Sequence, residues 1–242
     1  MPPSPVAAAA FDWIFFDCFN TLIDDFDDAG EEHGLGSLPE LAVTLGLFPA
    51  PEAFVAAYLS ARSLPADGRE ILLPERLGRV LAASPAAPDA AAIAAAVPAL
   101  LARWEEDYHR LIRPTPGVQE MLMQWSARKP AAVISNFFLP KQPEEYLRRF
   151  GLHGHFRFVV DSADFGYRKP DPRIFLHAIE RAGLAPADAA RILFIGDRND
   201  LDIQPARTLG MQVLHFDRSR AGRRVQPAAA DVRAIFDWAD FR

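Results

Sequence analysis

Four separated stretches of this chain carry polar groups that could act together on one substrate. Asp17 ends the apolar run 13–16, and Thr21 stands in the loop just after it. Ser135-Asn136 closes "AAVISN", Lys169 lies in "GYRKPDP", and Asp197 closes "RILFIGD" with Asp200 and Asp202 behind it. Asp17 could be a nucleophile or a metal ligand. As a nucleophile, a carboxylate can attack phosphorus and form a covalent aspartyl phosphate. Its own charge repels a phosphate, so such a site needs cations. Mg²⁺ held by Asp17 and Asp197 would be one, because clustered oxygen ligands suit a hard ion. Lys169 would be the other. Ser135, Thr21 and backbone N–H groups can then hydrogen-bond the phosphoryl oxygens. Taken singly, each element has an ordinary explanation as a cap, a turn or a surface residue. Their joint occurrence, in order and each after an apolar run, points to a site.

Bringing these residues together demands a particular fold. Short apolar runs at 131–136, 156–161, 191–197 and 211–216 alternate with amphipathic stretches at 117–128, 141–150, 172–183 and 202–209. Strands alternating with helices predict a three-layer α/β sandwich around a parallel sheet. In such sheets the ligand lies beyond the carboxyl ends of the strands. Asp17, Ser135, Asp161 and Asp197 all fall at strand ends and are expected on one edge.

Residues 26–112 break this rhythm and divide the core into 1–25 and 113–242. The insert is helical in pattern, with Leu41, Leu45, Leu47, Phe54, Tyr58, Leu72, Leu77 and Leu81 as expected core positions. Its last helix should start near Pro88-Asp89, since Ile93, Val97, Leu100, Leu101 and Trp104 recur at helical spacing. Pro98 is expected to kink that helix or shift its start. An insert that begins just after a strand-end carboxylate hangs over it, which makes it a candidate lid.

Composition narrows the class. Half of the 242 residues are hydrophobic, 24% are charged, and the net charge is −6. A mildly acidic chain has no electrostatic reason to bind nucleic acid or an anionic membrane. No run approaches the roughly 18 apolar residues of a membrane span. The start of the chain lacks the positive charge of a secretory signal. The single cysteine, Cys18, excludes an internal disulfide framework. A cytoplasmic globular protein acting on a small molecule is expected, with its oligomeric state open.

The order Asp17-x-x-x-Thr21, Ser135-Asn136, Lys169-Pro170, then Gly196-Asp197 with Asp202 resembles the four-motif signature of the haloacid dehalogenase-like (HAD) hydrolase superfamily. "TPGVQEML" and "KPDPRIF" match local phrases common there. The resemblance implies a Rossmann-like core, an Asp17 nucleophile and Mg²⁺-dependent phosphoryl transfer. The insert would correspond to the helical cap of one large subgroup. Phosphatases of this superfamily carry a second Asp two residues after the nucleophile, which protonates the leaving group and then activates water. This chain has Phe19 there. The family's metal also takes the backbone carbonyl of that residue, so the Mg²⁺ ligands implied are Asp17, Phe19 through its carbonyl, and Asp197. Asp202 either binds the metal too or orients Lys169.

Phe19 opens two alternatives. Haloacid dehalogenases of the superfamily also lack the second Asp and have an aromatic residue there, because a halide leaves without protonation. They use no metal and resemble Ser-x-Asn-x-x-Asp at the fourth motif. Asn199 and Asp202 fit both patterns, whereas Asp197 fits the metal-dependent one. The other alternative is a non-catalytic phospholigand-binding protein on a weakened scaffold. The acidic run 24–28 and His33 are the nearest substitutes for the missing acid, although such a run usually forms a solvated linker. Cys18 should point away from Asp17 as a buried thiol. His153, His155, His177 and His215 receive no role, and Trp125 and Phe175 are expected in the core.

Overall fold

The computed structural model describes residues 11–26, 34–61, 67–223, 227 and 229–241. The strands are β1 (Trp13–Phe16), β2 (Ile23–Asp24), β3 (Arg113–Pro114), β4 (Ala131–Ser135), β5 (Phe158–Asp161), β6 (Ile192–Gly196), β7 (Gln212–Phe216) and β8 (Ala234–Ile235). Six of them form one parallel sheet in the order β5-β4-β1-β6-β7-β8. β1 is central, between β4 and β6, so it is buried on both faces and reads as a continuous apolar run. Its side chains alternate. Ile14 and Phe16 join the core on one face, with Val118, Leu122, Trp125 and Leu147, whereas Phe15 joins the other with Ile174, Phe175 and Ile179. The helices α5 (Val118–Ser126) and α6 (Gln142–Arg149) therefore cover one face. The helices α8 (Pro172–Arg181) and α9 (Gln204–Thr208) cover the other, and the short α7 (Ser162–Phe165) follows β5. This is the expected three-layer sandwich. β8 is an addition to it: two residues are too few for an alternation pattern to show.

Among the described residues, four helices stand between β2 and β3: α1 (Leu38–Thr44), α2 (Pro51–Ala61), α3 (Leu73–Ala82) and α4 (Ala90–Leu111). The chain leaves and re-enters the core through β2 and β3, which pair antiparallel, Ile23 with Pro114 and Asp24 with Arg113. Phe54, Leu77, Leu81 and Leu100 are fully buried in the insert. Leu45 is not a core residue: α1 ends at Thr44, and Leu45 is 44% exposed beyond the helical face. Asp89 caps α4 by accepting from the Ala92 N–H at 2.8 Å. α4 nevertheless continues through Pro98, so Pro98 does not set its start. The insert also touches the core directly, with Leu73 N donating to Phe138 O (2.9 Å) and Glu70 N to Gly166 O (2.9 Å).

Asp24 and Asp25, the described acids of the acidic run, are not the solvated linker expected. Asp24 is buried, and Arg218 Nη2 donates to both its oxygens at 2.6 Å. Asp25 accepts from Tyr108 Oη at 3.2 Å. Asp27, Asp28 and His33 lie outside the described residues. Trp125 and Phe175 are core residues as expected. Among the described residues, no helix is long and apolar enough to cross a membrane.

Candidate active site

The carboxyl ends of β1, β4 and β6 carry the polar groups. Asp17 follows β1 directly, and its N–H donates to Ile195 O on β6 at 2.8 Å. One of its oxygens, Oδ1, accepts from Lys169 Nζ at 2.6 Å, and Oδ2 accepts from Thr21 Oγ1 at 3.1 Å. Lys169 Nζ also donates to Asp202 Oδ1 at 2.6 Å. This lysine is buried, not solvated, and bridges two carboxylates. Burial would lower its pKa, but Asp17 and then Asp202 outweigh that and hold it raised and charged. Asn136 fixes the lysine's backbone from both sides: Nδ2 donates to Lys169 O at 2.9 Å, and Oδ1 accepts from Lys169 N at 2.7 Å.

Asp17, Asp197 and Asp202 converge, with a ligand atom from each lying within 4.8 Å of the others. Asp202 approaches through a π-helical turn, Asn199–Ile203, and its Oδ2 accepts from Arg198 N at 3.0 Å. The approach requires Gly196, because a Cβ there would lie 2.5 Å from Asp202 Oδ2. Asp200 turns outward instead and pairs with Arg198. Burial raises Asp197 well above the ordinary carboxylate range, and Arg223 opposes the rise. Burial likewise raises Asp202, against Lys169. Three buried acids face two buried cations, Lys169 and Arg223, the latter with Nη1 at 2.9 Å from Asp197 Oδ2. One negative charge is left over in a desolvated place, so this donor set fits a divalent cation. Ser135 Oγ is fully buried and has no hydrogen-bond partner among the described residues, which leaves it available to a ligand.

Phe19 is part of an aromatic cluster. Its ring stacks on Phe137 (4.7 Å between centroids) and meets Tyr108 of α4 and Tyr146 of α6 edge-on at 6.0 and 6.2 Å. The bridge pairing Phe19 with Ile23 runs through Asn20 N to Ile23 O and Ile23 N to Cys18 O, so it does not use the Phe19 carbonyl. Cys18 is fully buried, and burial raises its thiol pKa well above the ordinary value. Asp161 pairs in register with Ser135, but its carboxylate ties loops, accepting from Lys141 N at 2.7 Å and Ala163 N at 3.0 Å.

Two contributors lie outside the motifs. His215 on β7 is fully buried, and its Nε2 lies 2.9 Å from the Asp197 carbonyl, to which it donates. A histidine inside the apolar run "MQVLHF" was the available signal. Arg223 gave none: the basic stretch 218–224 reads as solvated surface.

The model of the haloacid dehalogenase-like hydrolases matches residues 11–210. The chain belongs to this family. Among curated relatives, it is 35% identical over 135 residues to a glyceraldehyde 3-phosphate phosphatase of Methanopyrus kandleri, covering 55% of this chain and 54% of that one. It is 33% identical over 127 residues to a phosphoserine phosphatase of Thermus thermophilus, covering 50% and 49%. The chain thus spans about half the length of these curated relatives. Among solved structures, the 2-haloacid dehalogenase of Pseudomonas syringae pv. Tomato superposes with a TM-score of 0.71 at 24% identity, covering 95% of each chain. That likeness concerns the fold. The chain is a HAD-like hydrolase with phosphatase-named relatives.

Proposed function

We propose that this hydrolase cleaves a small organic phosphate through a covalent phosphoryl group on Asp17. The observation that carries the reading is the convergence of Asp17, Asp197 and Asp202 within 4.8 Å, with Lys169 bridging the first and third. A carboxylate nucleophile needs cations around it, and this arrangement accommodates more than one. We assign Asp17, Asp197, Asp202 and the Phe19 carbonyl as ligands of Mg²⁺. When bound, Mg²⁺ offsets the repulsion between Asp17 and the phosphoryl oxygens. The phosphatase-named relatives support the substrate class.

In this reading an Asp17 oxygen attacks phosphorus, the bond from phosphorus to the ester oxygen breaks, and that oxygen departs with the electron pair. Phe19 cannot protonate it, so the proton comes from water. Attack of water on the aspartyl phosphate then releases phosphate and restores Asp17. Lys169 orients Asp17 for attack through its contact with Oδ1. Asn136, whose amide is engaged with the Lys169 backbone, positions the lysine; we assign it that work in place of direct substrate binding. Ser135 Oγ remains the side-chain donor for the substrate, whereas the Thr21 hydroxyl donates to Asp17 Oδ2 and helps to orient the nucleophile. Residues 1–25 and 113–242 form the catalytic unit, and 26–112 form a helical cap that closes over it.

Phe19 favours a second reading: carbon–halogen hydrolysis, with Asp17 displacing a halide and forming an ester, which needs no acid and no metal. A panel of phosphate esters and 2-haloacids, each run with Mg²⁺ and with EDTA, separates the two. Mg²⁺-dependent phosphate release supports the first reading. Halide release in EDTA supports the second. Tight phosphate binding without turnover would indicate a non-catalytic scaffold.

A further inference from the structure

The loop after β7 brings two arginines into the molecule from one turn. Arg218 and Arg223 flank the turn Ser219–Ala221, and Arg223 N donates back to Arg218 O at 3.3 Å. Gly222 between them has φ +92°, a left-handed conformation that suits glycine. Both arginines are nine-tenths or more buried, at 4% and 5% exposure. Arg218 anchors the turn by its two-oxygen contact with Asp24 on β2, and its guanidinium lies over the Phe216 ring at 4.9 Å. That anchor delivers Arg223 to Asp197, Nη1 to Oδ2 at 2.9 Å.

We infer that Arg223 is a built-in competitor of the divalent cation, holding the metal affinity of the site low until an anionic substrate is present. This rests on the metal-dependent reading above. Asp197 is the carboxylate that Arg223 occupies, and it is also one of the three that converge. Any cation bound there stands close to a fixed guanidinium in a desolvated place, where like charges repel far more strongly than in water. The formal charges show the consequence. Asp17, Asp197, Asp202, Lys169 and Arg223 sum to −1, since three acids oppose two bases. A divalent cation alone turns this into an excess of positive charge. A phosphate dianion arriving with it restores a negative balance. Without Arg223 the empty site is more negative, and the cation alone neutralises it. Arg223 thus makes the metal and the phosphate favour each other's entry, and it lowers the occupancy of the site by metal alone.

The test is calorimetric titration of the full chain with Mg²⁺, with and without inorganic phosphate. The parent is compared with Arg223→Gln and Arg223→Met, which keep much of the stem and remove the charge, and with Arg223→Lys, which keeps the charge. Two neutral variants guard against one of them failing to fold, which circular dichroism would reveal. In the absence of phosphate, the neutral variants should bind Mg²⁺ about tenfold more tightly or better, with the lysine variant staying near the parent. Binding by the neutral variants where the parent shows none would support the inference equally. Unchanged or weaker Mg²⁺ binding in folded neutral variants overturns it, and leaves the metal site itself standing. Absence of Mg²⁺ binding in every protein, with phosphate present as well, overturns both this inference and the metal-dependent reading.

Discussion

The ring of Phe19 lies stacked on that of Phe137, with 4.7 Å between centroids and 20° between planes. Phe137 comes directly after Ser135-Asn136, so the stack joins the loop of the proposed nucleophile to the loop after β4. Tyr108 extends the contact into the helical insert, where it stacks on Trp104 at 4.6 Å. Phe19, two residues after Asp17, is thus a packing element between core and insert.

The first expected consequence is kinetic. General acid catalysis contributes typically about 10²–10⁴-fold, and Phe19 supplies none. Esters with good leaving groups, such as p-nitrophenyl phosphate, should be hydrolysed measurably. Alkyl phosphates should be slower by about that factor, because their alkoxide departs poorly without a proton. Steady-state rates across a series of leaving-group pKa values check this; equal rates across the series would mean that another group delivers the proton.

Asn136 touches the proposed chemistry only through Lys169. Asn136→Ala removes both hydrogen bonds to the lysine backbone and should lower kcat by about tenfold or more, with KM changed less. The fold, followed by far-ultraviolet circular dichroism, should be retained. A large rise in KM at constant kcat would instead show direct contact with the substrate.

How much of this was legible in the sequence depends on whether a residue repeats a pattern or makes a distant contact. The runs ending at Asp17, Ser135 and Asp197 read as strands because each is buried on both faces and so is continuously apolar. Their carboxyl ends share one edge because parallel strands point the same way, which is why these residues are expected at one site. The pairs Asp24–Arg218 and Asp197–Arg223 left no such trace. Each joins residues separated in the chain, and in each the arginine comes from a basic stretch whose composition reads as solvated. Asp24, in an acidic run, reads as linker, and the basic stretch that holds Arg218 and Arg223 carries no pattern that marks it as buried. Leu45 failed for a local reason, since the helix stops one residue before it.

Breaking the Asp24–Arg218 pair should be costly. Removing one partner of a buried ion pair leaves an uncompensated charge and typically costs about 3–5 kcal/mol. Asp24→Asn should therefore unfold at distinctly lower urea concentration than the parent. A shift equivalent to less than about 1 kcal/mol would mark the pair as solvated.

Asp161 gives a pH signature. Burial pushes its carboxyl up to about 7, despite the hydrogen bonds from Ala163 N and Lys141 N, whereas its ordinary value is 3.8. Between those two values the folded protein holds a proton that the unfolded chain has released. Stability should therefore fall as pH rises from about 4 to about 7, and the penalty is complete above that. Asp161→Asn removes the titration. Its difference in unfolding free energy between pH 5 and pH 8 should be smaller than the parent's, by on the order of 2 kcal/mol. Equal differences in urea melts would place the Asp161 carboxyl in the ordinary range.

The most direct measurement is of the covalent phosphoryl group itself. The protein is mixed with p-nitrophenyl phosphate and Mg²⁺, quenched in acid within the first turnovers, and its intact and peptide masses are recorded. Phe19 cannot activate water against the aspartyl phosphate, so the adduct should accumulate, with a burst of nitrophenol ahead of a slow steady state. The added mass should equal one phosphoryl group and map to Asp17, and Asp17→Asn should show neither adduct nor burst. Mg²⁺-dependent turnover with no adduct in the parent, or an Asp17→Asn variant within a few-fold of the parent's rate, would contradict Asp17 as the nucleophile.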